Sequence, residues 1–183
     1  MNIAPLFVVA ALALAVGIVA ADPGREVKSI PALDVSRYLG RWYEIAKFPN
    51  RFQKRCASDT SAQYSLAPNG NLRVLNQCRT PEGEMTQAIG EARQIGSADS
   101  PRLKVRFAPE WLSFLPFVWG DYWVVDLDDA YQLVAVSEPD REYLWILSRT
   151  PTVEPARYAA LLERLAAMGL DVAKLDKTPQ QIN

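Results

Sequence analysis

Leu103-Lys104-Val105-Arg106-Phe107 alternates apolar and charged residues without a break, the period of two that sends one side of a β-strand into an apolar interior and the other into water. Segments rich in β-branched and aromatic residues recur between Gly40 and Arg149 and predict strands at 42–48, 61–66, 71–78, 85–93, 103–107, 122–127, 131–137 and 143–149. Turn chemistry separates them at Pro68-Asn69-Gly70, Pro81-Glu82-Gly83, Asp99-Ser100-Pro101, Asp128-Asp129 and Glu138-Pro139-Asp140. Such a series of short strands is the pattern of an antiparallel meander. After Arg149 the period changes. Tyr158, Leu161, Leu162, Leu165 and Met168 fall at helical spacing, with Thr152 placed to cap, Pro155 in the first turn and Gly169 at the end. This amphipathic helix is expected to pack outside the sheet, followed by a short extended piece over 170–175.

Two of these segments imply closure. Gly40-Arg41-Trp42 opens the first strand and Arg149 ends the last. A guanidinium lying on the Trp42 face would plug the end of a barrel and contribute about 0.5 to 2 kcal/mol, but the two residues meet only if the sheet curls round on itself. The expected fold is therefore all-β: an eight-stranded antiparallel up-and-down barrel with a C-terminal α-helix packed outside it.

In a small barrel one strand parity lines the interior. Leu103, Val105 and Phe107 point inward on the fifth strand, and shared parity with Arg149 places Tyr143, Trp145 and Leu147 inside on the last. Elsewhere the alternation is weaker, and Tyr64, Leu72, Val74, Asn76, Gly90, Ala92, Tyr122 and Val124 are assigned inward. Gly90 and Ala92 are expected to leave room opposite Tyr64, Phe107, Tyr122 and Trp145. A barrel of this size either is filled by its own side chains or holds one small ligand; an apolar wall with sparse polar handles favours the ligand. The connection 108–120, with Trp111, Phe114, Phe117 and Trp119, is too apolar for an ordinary loop. It falls at the end opposite Trp42 and Arg149, where it could be a lid, a membrane contact or half of a homodimer patch.

Composition narrows the chemistry. The net charge is −1, and no basic run interleaves with aromatics, which argues against nucleic-acid partners. The chain has no histidine, which removes Ser-His-Asp and Cys-His catalysis, His-ligated zinc and proximal-His haem. No catalytic residue, metal or cofactor is expected, and the chain reads as a non-enzyme. Two alternatives remain: an isomerase using a cavity thiol, and an envelope interaction module acting through 108–120.

The apolar run from Ile3 to Ala21 reads as a secretory signal peptide over 1–21, with an uncleaved anchor as the alternative. Residues 22–32 would form a linker and 33–183 the folded domain. Cys56 and Cys78 are the cysteines of this exported chain, which favours a disulfide over two buried thiols.

Several stretches resemble the lipocalin family, and within it the bacterial outer-membrane lipocalin and apolipoprotein D group. They are Leu39-Gly40-Arg41-Trp42-Tyr43-Glu44-Ile45, Leu144-Trp145-Ile146-Leu147-Ser148-Arg149-Thr150-Pro151 and, more loosely, Leu127-Asp128-Asp129-Ala130-Tyr131. The resemblance implies an eight-stranded barrel open at one end that carries a hydrophobic ligand, in this group usually a fatty acid or lysophospholipid, in the service of membrane maintenance. Positions matching the group's pocket are Tyr64, Asn76, Phe107, Tyr122, Trp145 and Leu147. Bacterial members are typically lipid-anchored, whereas this chain lacks the acceptor cysteine. A periplasmic or outer-membrane-associated form without a lipid anchor is therefore expected.

Overall fold

The computed structural model describes residues 27–181; the signal segment 1–21 and the first part of the linker lie outside them. Among the described residues nine strands form one sheet. They are β1 (Gly40–Lys47), β2 (Ser58–Leu66), β3 (Leu72–Arg79), β4 (Met85–Gln94), β5 (Arg102–Arg106), β6 (Gly120–Leu127), β7 (Leu133–Ser137), β8 (Leu144–Ser148) and β9 (Asp176–Lys177). Each of β2 to β8 pairs antiparallel with its sequence neighbour, and β1 pairs with both β8 and β2, which closes an eight-strand barrel. The seventh strand starts later than its sequence pattern suggests, because Tyr131 turns the chain at φ 56°.

A short helix, α1 (Val35–Tyr38), precedes the barrel and was not foreseen in the apolar pattern. Asp34 caps it, accepting hydrogen bonds from the Ser36 and Arg37 amides at 2.9 and 3.4 Å. The helix after the barrel is α2 (Pro155–Ala167). Its cap is Glu154 rather than Thr152: the Glu154 carboxylate takes the Ala156 and Arg157 amides at 2.9 Å each, while the Thr152 carbonyl accepts from the Thr150 hydroxyl.

The core has two layers separated by the barrel wall. Inside lie Trp42, Ala62, Tyr64, Leu72, Val74, Ala92, Leu103, Val124, Val134, Val136 and Leu147. Outside, Ala46, Val125, Leu133, Ala135, Leu144 and Ile146 meet Leu161 and Leu165 of α2. This is why β7 reads as a continuous buried run instead of an alternating one: its outer face is covered by the helix.

The segment 170–175 is a turn, not an extended piece, because Val172–Lys174 forms a 3-10 helix. The chain then runs extended as β9, which pairs with β1 through Ala46 and Lys47 where β2 has diverged. Thr178 donates its amide to the Ile45 carbonyl at 3.0 Å and Pro179 accepts from the Asp59 amide at 2.9 Å. The Gln180 side chain bridges the Glu44 and Thr60 carbonyls at 2.7 and 2.9 Å. The C-terminal strap thus spans the gap between β1 and β2.

Candidate functional site

One end of the barrel is shut. The Arg149 guanidinium lies 3.9 Å from the centre of the Trp42 ring, and its nitrogens donate to the carbonyls of Arg41 at 2.9 Å, Arg37 at 2.7 Å and Tyr131 at 3.3 Å. Trp42 is fully buried, and its indole N–H donates to the Tyr38 carbonyl at 2.8 Å. Gly40 is required twice over here: its φ is +95°, and a Cβ would stand 3.2 Å from Arg149 Nη1.

Above this floor the inner wall forms a cup. Tyr64, Leu103 and Leu147 are buried toward the base, whereas Asn76, Val105, Tyr122 and Trp145 are half-buried and Phe107 is exposed at the rim. Seven of the eight share the inward parity, as their pairing shows: Asn76 stands opposite Ala62, Leu103 opposite Tyr122, and Trp145 opposite Val136, while Phe107 lies one residue past the end of β5. The structure therefore brings the predicted residues onto one surface, from floor to rim. Cys56 and Cys78 form a disulfide beside the mouth, so neither offers the thiol that an isomerase of the kind considered above would need.

The floor of the cup holds three phenols. Tyr122 Oη lies 2.7 Å from Tyr38 Oη and 2.9 Å from Tyr64 Oη. Burial pushes all three up: Tyr64 to about 12, despite its hydrogen bond to Tyr122, and Tyr38 and Tyr122 well above the ordinary phenol range. They are neutral hydrogen-bonding groups at any physiological pH. Among the described residues Asn76 Oδ1 and Thr60 Oγ1 are buried without a hydrogen-bond partner, so the wall keeps polar capacity in reserve.

Sequence reasoning missed Tyr38, Glu44, Lys47 and Gln53. Glu44 is 2% exposed on the inner wall, two residues along β1 from Trp42, and its parity was readable. Its carboxylate accepts from Lys47 Nζ at 3.1 Å, Gln53 Nε2 at 2.5 Å and the Thr178 hydroxyl at 2.6 Å. Gln53 Oε1 in turn accepts the Trp145 indole N–H at 2.9 Å, which fixes that ring in the wall. Lys47 faces inward because a bulge between Glu44 and Ala46 shifts the parity of β1. Tyr38 and Gln53 reach the interior from outside the predicted strands, and no period marks them.

Gly90 does not leave the room assigned to it. A Cβ there would lie 2.7 Å from both the Phe107 ring and the Arg106 carbonyl, so Phe107 already occupies the space. Ala92 is 2% exposed and packed. The loop 108–120 stands at the mouth end. Trp111, Phe114 and Phe117 are 73, 75 and 78% exposed, so they project into solvent instead of packing over the cup. Trp119 folds back on the outer wall, its ring 4.3 Å from the Arg93 guanidinium and 5.1 Å from that of Arg106. A surface depression of about 600 Å³ lies at the closed end, framed by Leu33, Asp34, Asp99 and Tyr131, away from the mouth-side wall.

Comparison with known proteins agrees with this geometry. The lipocalin-like domain family matches residues 33–180. Temperature-induced lipocalin-1 of Arabidopsis thaliana is 44% identical over 158 residues, covering 85% of this chain and 84% of the plant protein. Outer membrane lipoprotein Blc of Escherichia coli K12 is 40% identical over 176 residues, 95% of each chain. Insecticyanin of Manduca sexta superposes with a TM-score of 0.65 at 20% identity, over 86% of this chain and 85% of its own.

Proposed function

The chain belongs to the lipocalin family, and we propose that it binds and carries a single-chain lipid, a fatty acid or a lysophospholipid, in the cell envelope without chemically altering it. The observation that carries this reading is the graded inner wall: Leu103 and Leu147 are buried, the inward-facing Val105 and Trp145 stay partly exposed, and Tyr122 and Asn76 are sparse polar handles among them. Burying a dozen methylenes would contribute about 10 kcal/mol gross, at about 0.8 kcal/mol each, before the cost of immobilising the chain. That is ample for micromolar binding. The ligand-binding residues in this reading are Tyr64, Asn76, Leu103, Val105, Phe107, Tyr122, Trp145 and Leu147. The envelope assignment is supported by the disulfide, which persists in oxidising compartments, and by the relative named an outer membrane lipoprotein. Solvent extraction of the purified protein followed by mass spectrometry should return stoichiometric fatty acid or lysophospholipid. A protein that yields none and takes up neither from added lipid would overturn the reading.

A second reading concerns the mouth. Trp111, Phe114 and Phe117 are exposed on the loop between β5 and β6, and at the same end of the barrel the loop between β1 and β2 exposes Phe52 by 63%, with the Arg51 guanidinium 5.2 Å from its ring and Lys54 and Arg55 following. Aromatic rings with nearby cations suit the surface of a membrane that donates or receives the lipid. Replacing the three loop aromatics by serine should weaken adsorption to anionic vesicles. A fall in sedimentation coefficient without that loss would instead make the loop a homodimer patch.

A further inference from the structure

The barrel wall has a gap on one side. β4 runs from Met85 to Gln94, but β5 pairs only with its lower part, Glu91 to Gln94. Beyond the Glu91–Arg106 pair the chain peels away into the loop. Among the described residues no strand pairs with Met85–Gly90 on that side, and its backbone edge is free. A groove of about 330 Å³ opens there between Ile89 and Gly90 on one bank and Phe107, Ala108 and Pro109 on the other. Ile89 and Phe107 on its banks are 53 and 43% exposed, and Met85 at the start of β4 and Trp111, Phe114 and Phe117 on the loop add further exposed apolar side chains.

Phe107 joins this groove to the cup. It continues the period of Leu103 and Val105 one residue past β5, and its ring rests on Gly90, where any side chain would collide with it. The glycine makes a seat for the ring, and the ring closes the gap between β4 and the loop. Below, the wall is fastened by the Arg106–Glu91 ion pair at 2.7 Å, with Glu91 also held by Asn69 and Asn71. The wall is therefore firm up to Arg106, whose guanidinium also donates to the Ala108 carbonyl at 2.6 Å, and between these two anchors the Phe107 ring fills the space against β4.

We propose that the acyl chain of a bound lipid passes through this side opening, with Phe107 as the plug that swings off Gly90, and that the polar end of the lipid stays in the groove outside. The inference rests on the lipid-binding reading above. Its occupant is one acyl chain with its head outside: Ile89, Ala108 and Pro109 give an apolar path that Phe107 separates from the inner wall, while Glu91, Arg106 and Glu110 also line the groove, where the polar end stays.

Palmitate carrying a photoactivatable diazirine next to the carboxylate, compared with palmitate carrying it at the chain terminus, locates the two ends. The terminal probe should label the inner wall around Tyr122 and Trp145, and the carboxyl-side probe should label Ile89, Ala108 and Pro109. Carboxyl-side labelling of Phe52, Arg141 and Tyr143 would place the polar end at the axial mouth and overturn the side opening while leaving lipid binding intact. No saturable labelling of the inner wall by either probe would overturn both. Stopped-flow binding of the fluorescent fatty acid cis-parinaric acid supplies the second readout. Phe107→Ala should speed both association and release by about tenfold, and Phe107→Trp should slow both. A plain wall contact would change release alone, and an unchanged association rate in both variants would overturn the plug.

Discussion

The two ends of the barrel use aromatic residues in opposite ways. At the base, Trp42 is fully buried, its N–H is bonded, its face is covered by Arg149, and that guanidinium is itself shared among three backbone carbonyls. At the mouth, Trp111, Phe114 and Phe117 are at least 73% exposed. The same residue types supply cohesion at one end and unburied apolar area at the other. A fold that is closed and satisfied at its base can tolerate an unfinished mouth, whose exposed apolar area is free for contact with another surface.

The contrast can be broken most severely at the base. Trp42→Ala removes a buried aromatic ring and the surface on which Arg149 rests, and should cost about 3 to 5 kcal/mol in chemical denaturation. A loss below about 1 kcal/mol would mean that the base is not the anchor of the fold.

Alkaline pH tests the phenol floor. Tyr64 titrates near 12 in the folded protein against an ordinary value of 10.0. As pH rises past 10 the unfolded chain loses this proton before the folded one does. The folded state then binds more protons, and stability falls with pH. The contribution is fully present below pH 10 and is lost up to about 12, a total of about 3 kcal/mol for Tyr64 alone. Tyr64→Phe should flatten that part of the profile. An unchanged slope would show that Tyr64 does not carry it.

Arg149→Ala should cost about 1 to 3 kcal/mol through the lost cation–π contact and the three released carbonyls, with lipid affinity retained. An unchanged melting temperature together with lost binding would move Arg149 from closure to ligand recognition. The smallest effect belongs to the mouth. Trp111→Ser, Phe114→Ser and Phe117→Ser together should change stability by less than about 0.5 kcal/mol, because little of these side chains is buried. A cooperative loss of several kcal/mol would show that the loop belongs to the core.

These two ends also differ in how far they could be read from sequence. Gly40, Trp42 and Arg149 are far apart in the chain, but each has a distinct chemical role, and together they admit one arrangement of the sheet. Unbroken alternation at 103–107 gave the inward register of Leu103, Val105 and Phe107 directly. What escaped was geometry that breaks a period or comes from a loop. The bulge in β1 turns Lys47 inward, Gln53 reaches the wall from a 3-10 turn, and the strap through Thr178 and Gln180 fills a gap that no local pattern announces. Gly90 was read as space because a glycine in sequence says nothing of what fills its missing side chain, and here Phe107 does.

The central claim is that a lipid binds inside the cup, against Trp145, and not on the exposed aromatics of the mouth. Fluorescence titration with oleate or a lysophospholipid, comparing wild type with Trp145→Phe, tests it most directly, since the difference between the two isolates one indole among five. The account predicts a saturable change in wild type that is largely lost in the variant, with weaker binding. A Trp145→Phe protein that keeps the full wild-type response and affinity would contradict it.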